Sequence, residues 1–463
     1  MFFQRRTVSG LAIHSYVVGD ENAKECVVID PVRDVEEYIA ISQVKGLEIK
    51  HILETHVHAD YVSGAVELKA RLNNIPEIHC SGMGGESWIP TYADHVVQDG
   101  DEIKVGNLTF RAIHTPGHTP EHVMWALFED GEIQKLFTGD FLFVGDVGRP
   151  DLLGEEEMEK LSHQLYHSVF SKLDPYPDRT EVRPAHGAGS LCGKALGSAP
   201  STTLGEERKE NKSLIDTSED AWIADLMRDM PPAPKYFPRM KKINVTGAAI
   251  LGKEGPGRRA LSAQEVKEEL DKGTLVLDVR SKEAFAAAHI PGSINIPMSS
   301  QLSTWAGWML PDDVSIALVL DDENQLEHVV NALIRVGFDK IRGYLEGGIW
   351  AWENHAMDTT HLKTISSHDL HVNLKEDPKP FVLDVRTGSE WNAGHIANAN
   401  HIHAGLVQNN LNILPKDRHI SIVCGSGFRA SIVASMLMRE GFKDISNVFG
   451  GMSAWKEEGL PVI

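Results

Sequence analysis

The sequence predicts a multidomain protein of mixed α/β and α+β class, and three observations carry that prediction. Residues 1–245 interleave strand-like and helix-like runs, as stacked sheets with helices outside them do. Residues 258–360 and 361–463 repeat one another. Within each repeat, short continuous apolar runs alternate with helical segments, the pattern of parallel strands covered on both faces. Residues 246–257, rich in glycine and with one proline, read as a linker. A chain of 463 residues has room for two to four such domains.

Composition narrows the class. Hydrophobic content of 42% and charged content of 24% are those of an ordinary globular protein. A net charge of −21 argues against nucleic acid or an anionic membrane as the main partner. No run of about 20 apolar residues is present, so no membrane span is expected. The first residues, Met1 to Arg6, hold no apolar core of signal-peptide length. Four cysteines (Cys26, Cys80, Cys192 and Cys424) are too few for a disulfide framework, so a reducing, cytoplasmic setting is expected.

The first segment reads as strands near residues 13–18, 25–29, 52–55, 75–79, 102–105 and 108–114, with helices near 35–43 and 65–72. Its polar residues gather at strand ends. Thr55-His56-Val57-His58-Ala59-Asp60-Tyr61 follows an apolar run, and if extended it would point His56, His58 and Asp60 to one side. In Thr115-Pro116-Gly117-His118-Thr119-Pro120, two prolines and a glycine exclude a helix and set His118 on a rigid turn. Thr138-Gly139-Asp140 ends a strand, and Pro184-Ala185-His186-Gly187 ends another. Each residue alone reads as an ordinary surface or core group. Jointly they point to a metal site.

This set resembles the metallo-β-lactamase superfamily, an αββα sandwich, over residues 1–245. Glyoxalase II enzymes of that superfamily extend the first motif to His-x-His-x-Asp-His, a third histidine, and bind two metals; Tyr61 stands at that position here. The loop Gly145-Asp146-Val147-Gly148-Arg149-Pro150-Asp151 is similar to that of the persulfide dioxygenases, which hold one iron. The resemblance implies one Fe(II) per chain on His56, His118 and Asp140. Two histidines and a carboxylate leave open positions for water, substrate and dioxygen, as an iron(II) site requires. His58, Asp60, His186 and Tyr61 would then orient the ligands and bound water. Arg149 would bind a carboxylate of the thiol carrier or brace Asp151. Cys192 reads as a buried inert cysteine or as a carrier of persulfide sulfur.

The repeat begins after the linker. Leu275-Val276-Leu277-Asp278-Val279-Arg280 recurs as Phe381-Val382-Leu383-Asp384-Val385-Arg386, and Gly347-Gly348-Ile349-Trp350-Ala351-Trp352 recurs as Gly450-Gly451-Met452-Ser453-Ala454-Trp455. In the second copy an apolar strand runs into Cys424-Gly425-Ser426-Gly427-Phe428-Arg429, and a helix follows. A cysteine on a tight loop at a helix N-terminus, beside an arginine, is set up as an anionic sulfur nucleophile. This copy resembles rhodanese domains, with Cys424 as the persulfide-forming residue and Gly425, Gly427 and Arg429 as its cradle. The first copy reads Leu320-Asp321-Asp322-Glu323-Asn324-Gln325 at the same place, without cysteine or arginine, and is expected to be catalytically silent.

Together these resemblances imply an enzyme of sulfide detoxification. It would oxidise a low-molecular-weight persulfide (of glutathione, coenzyme A or a similar thiol) with O2 to sulfite. The rhodanese cysteine would interconvert sulfite, thiosulfate and persulfide. A homo-oligomer, dimer or tetramer, is expected, and no nucleic acid or membrane partner. Two other functions compete: a binuclear zinc thioester hydrolase with an appended rhodanese, and a sulfide-sensing or docking protein. Tyr61 weighs against the first and the complete Cys424 loop against the second.

Overall fold

The computed structural model describes residues 1–463 apart from Asp216 and Asp229. It divides into two compact units. One is Met1–Lys253 with Ile334–Gly337, and the other is Glu254–Leu333 with Phe338–Ile463.

The first unit is built on two six-stranded sheets. Strands β1 (Phe2–Val8), β2 (Ile13–Asp20), β3 (Glu25–Ile29), β4 (Glu48–Leu53), β5 (Glu77–Ser81) and β6 (His95–Val97) lie side by side in that order. The pairings from β1 to β3 are antiparallel and those from β3 to β6 parallel. The second sheet contains β7 (Glu102–Val105), β8 (Leu108–His114), β9 (Val123–Glu129), β10 (Glu132–Gly139), β11 (Glu181–Pro184) and β12 (Thr202–Thr203). There only β10 and β11 run parallel.

The twofold alternation of strand side chains decides where each residue packs. On β9, Trp125 points between the sheets, where it meets Leu53, Phe110 and Phe137. Its neighbours Met124 and Ala126 point outward, to Leu165 and Val169 of helix Glu155–Lys172 and Trp222 of helix Glu219–Met227. Helices Glu36–Lys45 and Ala65–Arg71 lie against the first sheet. The arrangement is the αββα sandwich. Two strand boundaries differ from the sequence reading. Strand β5 starts at Glu77, because Pro76 has no N–H to give to a ladder. Strand β4 stops at Leu53, before Thr55, for a reason that lies in the site itself.

The second unit holds two five-stranded sheets of identical order. The first has β13 (Ala260–Leu261), β14 (Leu275–Asp278), β15 (Ile294–Asn295), β16 (Ile316–Val319) and β17 (Ile341–Leu345), arranged β13-β17-β16-β14-β15. The second has β18 (Lys363–Ile365), β19 (Phe381–Asp384), β20 (Asn400–His401), β21 (Ile420–Val423) and β22 (Ile445–Val448), arranged β18-β22-β21-β19-β20. Every pairing is parallel. The repeat extends to single contacts. Trp352 Nε1 donates to Asp358 O and Trp455 Nε1 to Pro461 O. Each half opens with a formed capping box, Ser262 with Glu265 and Ser366 with Asp369.

Candidate functional site

The metal-ligand candidates follow the ends of β4, β8, β10 and β11. Asp30, just past β3, adopts a left-handed backbone (φ 50°) and accepts hydrogen bonds from Thr55 N and Thr55 Oγ1, both at 2.8 Å. That capture removes Thr55 from the strand ladder and makes residues 54–64 a loop. The loop separates three residues that an extended segment would have aligned. His56 Nε2 turns toward Asp140. His58 Nε2 lies 3.2 Å from Asp30 Oδ1, 3.2 Å from Glu54 Oε2 and 3.0 Å from the Tyr61 hydroxyl. Asp60 Oδ2 lies 2.9 Å from His186 Nε2. The expectation of one shared side is thus corrected: each of the three faces its own partner.

His56, His118 and Asp140 do meet. Asp140 Oδ2 is 3.7 Å from His56 Nε2 and 3.4 Å from His118 Nε2. All three atoms are buried and, among the described residues, lack a hydrogen-bond partner. Buried polar atoms left unpaired carry a desolvation cost of about 1–3 kcal/mol each, which a bound cation would remove. Burial lowers the pKa of both imidazoles, so they stand neutral. Burial disfavours the charge on Asp140, but His186, His56 and His118 outweigh it and hold the carboxyl well below its ordinary value. Neutral imidazole and ionised carboxylate are the states in which these groups bind metal.

The opposite edges of the ligands are held as well. His56 Nδ1 is 2.9 Å from Thr55 Oγ1, His118 Nδ1 is 3.1 Å from the Arg149 carbonyl, and Asp140 Oδ1 is 2.6 Å from His186 Nδ1. Burial opposes charge on His186, but the Asp140 and Asp60 carboxylates raise it to about 10. His122 Nε2 accepts from Asp140 N at 3.0 Å. Gly139 makes that approach possible, since a Cβ there would lie 2.5 Å from His122 Nε2 and 2.8 Å from Thr55. His58 Nδ1 is a further buried nitrogen that has no hydrogen-bond partner among the described residues.

Two candidates from the sequence find other surroundings. Arg149 is fully buried; its guanidinium donates to both oxygens of Asp151 at 2.6 and 2.7 Å, to Leu191 O and to Pro231 O. It braces Asp151 and the loop from inside, the second of the two roles that the sequence left open for it. Cys192 groups with Asp60 and His186. Burial first, then Asp60 and Asp140, push its thiol well above the ordinary value, which accords with the buried, inert reading of the two that the sequence left open.

A groove of about 330 Å³ opens beside the ligand loop, lined by Val57, Ala59, Thr119, Leu152, Phe237 and Lys241. Lys241 Nζ stands 3.6 Å over the Trp88 ring. It is a cation that lines the groove. Its remote place on helix Phe237–Thr246 carries no motif, so no sequence signal pointed to it.

In the second unit, Cys424 follows β21 and is buried. Its sulfur accepts from Gly427 N at 3.1 Å. Gly427, left-handed at φ 89°, starts the helix at Phe428, so Arg429 falls in the first turn. Arg429 makes a two-pronged bond to Glu390 at 2.6 and 2.7 Å. That bond is the main cause holding the Glu390 carboxyl near 2. Glu390 was absent from the sequence reading because it belongs to the capping box of a different helix, Gly388–Asn392. Arg386 closes on Asp384, and Arg280 repeats this on Asp278 in the other half; both pairs are scaffold. In the half without a cysteine, Asp322 Oδ1 caps Asn324 N at 3.0 Å where the sulfur loop would be. That half nevertheless reaches the loop: Lys282 Cε lies 3.4 Å from where a Cβ on Gly427 would sit.

Comparison with known proteins agrees with this geometry. Residues 8–186 match the metallo-β-lactamase superfamily, and residues 262–355 and 367–458 each match the rhodanese-like domain. A crystal structure of a metallo-β-lactamase from Staphylococcus aureus subsp. aureus COL superposes with a TM-score of 0.65 at 36% identity, covering 74% of this chain and 98% of that one. The mitochondrial persulfide dioxygenase ETHE1 of Homo sapiens is 31% identical over 44% of this chain and 73% of its own length. The hydroxyacylglutathione hydrolase of Vibrio cholerae is 36% identical over 45% of this chain and 80% of its own. The chain spans 63% of the length of a β-lactamase hydrolase-like protein of Xylella fastidiosa, to which it is 29% identical. No helix among the described residues is long and apolar enough to cross a membrane.

Proposed function

Because the chain belongs to the metallo-β-lactamase superfamily and carries two rhodanese-like domains after the metal-binding one, we propose that it oxidises persulfide sulfur at one centre and transfers sulfane sulfur at another. The observation that carries the reading is the convergence of three unpaired ligand atoms, His56 Nε2, His118 Nε2 and Asp140 Oδ2, in a chain that also holds a complete Cys424 loop. Likeness to the human persulfide dioxygenase supports the choice of substrate.

The donor set of two imidazoles and one carboxylate suits iron(II) and leaves coordination positions open. Bound there, iron(II) would supply the redox chemistry that joins dioxygen to the terminal sulfur of a low-molecular-weight persulfide. The net reaction takes RSS⁻, O2 and water to RSH, sulfite and one proton. His186 orients Asp140 through Oδ1, and the Arg149 carbonyl orients His118. Lys241 holds the anionic group of the thiol carrier, while Val57, Ala59 and Leu152 keep water from the groove. At the second centre Cys424 carries a sulfane sulfur as Cys–S–S⁻, which sulfite attacks to release thiosulfate and the cysteine thiolate. Gly427 N and Arg429 stabilise the anionic sulfur.

A second reading rests on the Asp60, His186 and Cys192 group and on the likeness to hydroxyacylglutathione hydrolase: a binuclear thioester hydrolase. Tyr61 disfavours it. Its hydroxyl bonds to His58 Nε2 and Asp30 O, where the two-metal enzymes offer another histidine. Metal content measured together with O2 uptake on a panel of persulfides decides the matter. One iron per chain and persulfide-dependent O2 uptake are expected. Two zinc ions per chain with thioester hydrolysis and no O2 uptake would replace the dioxygenase reading with the hydrolase.

A further inference from the structure

Three histidines and a glutamate meet on the first sheet, and none of them belongs to the metal pocket. His51 lies on β4, Glu77 and His79 on β5, and His95 on β6. His51 stands directly opposite Glu77, and His79 opposite His95. Glu77 and His79 are two residues apart on one strand, so all four side chains share one face of three adjacent parallel strands.

Their polar atoms converge. His51 Nδ1 is 3.0 Å from His79 Nε2 and 3.7 Å from Glu77 Oε2, and Glu77 Oε2 is 3.1 Å from His95 Nε2. The His79 and His95 rings stack with centroids 4.7 Å apart. One ligand atom each from His51, Glu77 and His79 lies within 4.8 Å of the other two. In a tetrahedral site with bonds of about 2.0–2.1 Å, ligand atoms stand roughly 3.3–3.4 Å apart. The observed separations bracket that figure.

We propose that His51, Glu77 and His79, with His95 holding the Glu77 carboxylate from its other side, form a second cation site, which takes one divalent late transition metal such as zinc. The His51–His79 and Glu77–His95 distances are those of hydrogen bonds, whereas His51 Nδ1 and Glu77 Oε2, at 3.7 Å, lie beyond hydrogen-bond reach and near the spacing of two ligands around one ion. Imidazole with one carboxylate suits zinc, nickel and copper more than magnesium or calcium. Burial, then His51 and His95, lowers His79 to about 3, and burial lowers His51, so both are neutral and ligand-ready at neutral pH. Glu77 and His95 are half exposed, which gives the ion an entry from solvent. The ion would tie β4 to β5, and the Glu77–His95 bond would carry the tie on to β6, an edge strand of three residues that such a link protects from stray pairing.

The test uses the full chain already loaded with its own metal, titrated with zinc against a chromophoric chelator near neutral pH. Wild type should take up one more zinc than the Glu77→Gln/His95→Ala double variant, whose changes fall on exposed side chains and leave the fold intact. His51→Gln should weaken that extra zinc at least about tenfold, the usual size of a lost ligand or its support. Equal zinc uptake by wild type and the double variant overturns the proposal. Because His118 is untouched in every variant, loss or absence of activity at the pocket does not bear on the result.

Discussion

The metal pocket and the cysteine loop manage charge in opposite ways. The pocket gathers Asp140, Asp60, Glu54 and the imidazoles of His56, His58, His118, His122 and His186 in a buried interior, so each charge needs a partner within a few ångströms. The loop puts one sulfur at a helix start, where a backbone N–H and Arg429 meet it. The first arrangement offers lone pairs to a cation, and the second offers N–H donors to a sulfur. The pocket depends on side chains that arrive from distant strand ends; the loop depends on backbone within six residues. The same logic separates the two rhodanese-like halves, which share a scaffold and differ at one turn.

The sharpest way to break the comparison is to disable each centre alone. His118→Ala should abolish metal binding and persulfide-dependent O2 uptake while sulfur transfer at Cys424 continues. Cys424→Ser should do the reverse. If either variant silences both activities, the centres are not the independent devices described here. A smaller effect is expected one step outward. His186→Asn removes the group that holds Asp140 and should weaken metal affinity about 10–100-fold, read by competition with a chelator. Unchanged affinity would mean that Asp140 is placed by its backbone alone.

Lys241→Ala tests the groove. Loss of one charge-assisted hydrogen bond corresponds to about 1.5–3 kcal/mol, so KM for an anionic persulfide should rise at least about tenfold with kcat nearly constant. A fall in kcat at constant KM would place Lys241 in the chemistry instead of the binding. The mildest change addresses the loop. Glu390→Gln keeps the helix cap and removes the carboxylate that competes with the sulfur for Arg429, so Cys424 should be alkylated faster at neutral pH. Alkylation rates of the two proteins read this, and slower alkylation of the variant would refute it. The pH dependence of the clamp follows from Arg429 holding Glu390 near 2 against an ordinary 4.5. A depressed carboxyl contributes stability above 4.5 that disappears as pH falls toward 2. In wild type the Arg429–Glu390 bond should therefore survive mild acid, and Glu390→Gln should lack that acid-side transition in a stability-versus-pH series.

Much of both centres was legible in the residues. The turns at His118, Asp140 and Cys424 announce themselves through proline and glycine, which forbid regular structure and so mark where a side chain is presented. The repeat was legible because two copies of one pattern need no outside reference. The supporting residues were not. Asp30 acts on Thr55 from 25 positions away, Glu54 and Tyr61 on His58 across a loop whose bend is set by that contact, and Glu390 on Arg429 from 39 positions away. No spacing rule encodes a meeting that depends on which strands pair.

The amino-acid order alone determined the class of each domain, the absence of a cysteine from the Asp321-Asp322-Glu323 turn and the residues that are candidates for the chemistry, because these are set by local periodicity, turn preference and side-chain type. Tertiary structure decided their orientation. It took His58 and Asp60 away from His56, enclosed Arg149, turned Lys241 to the groove and brought His51, Glu77, His79 and His95 together. The physical reason is the same in each case. Burial makes an unpaired polar group costly, so each side chain turns to whatever partner packing brings near, and only the fold says which one that is.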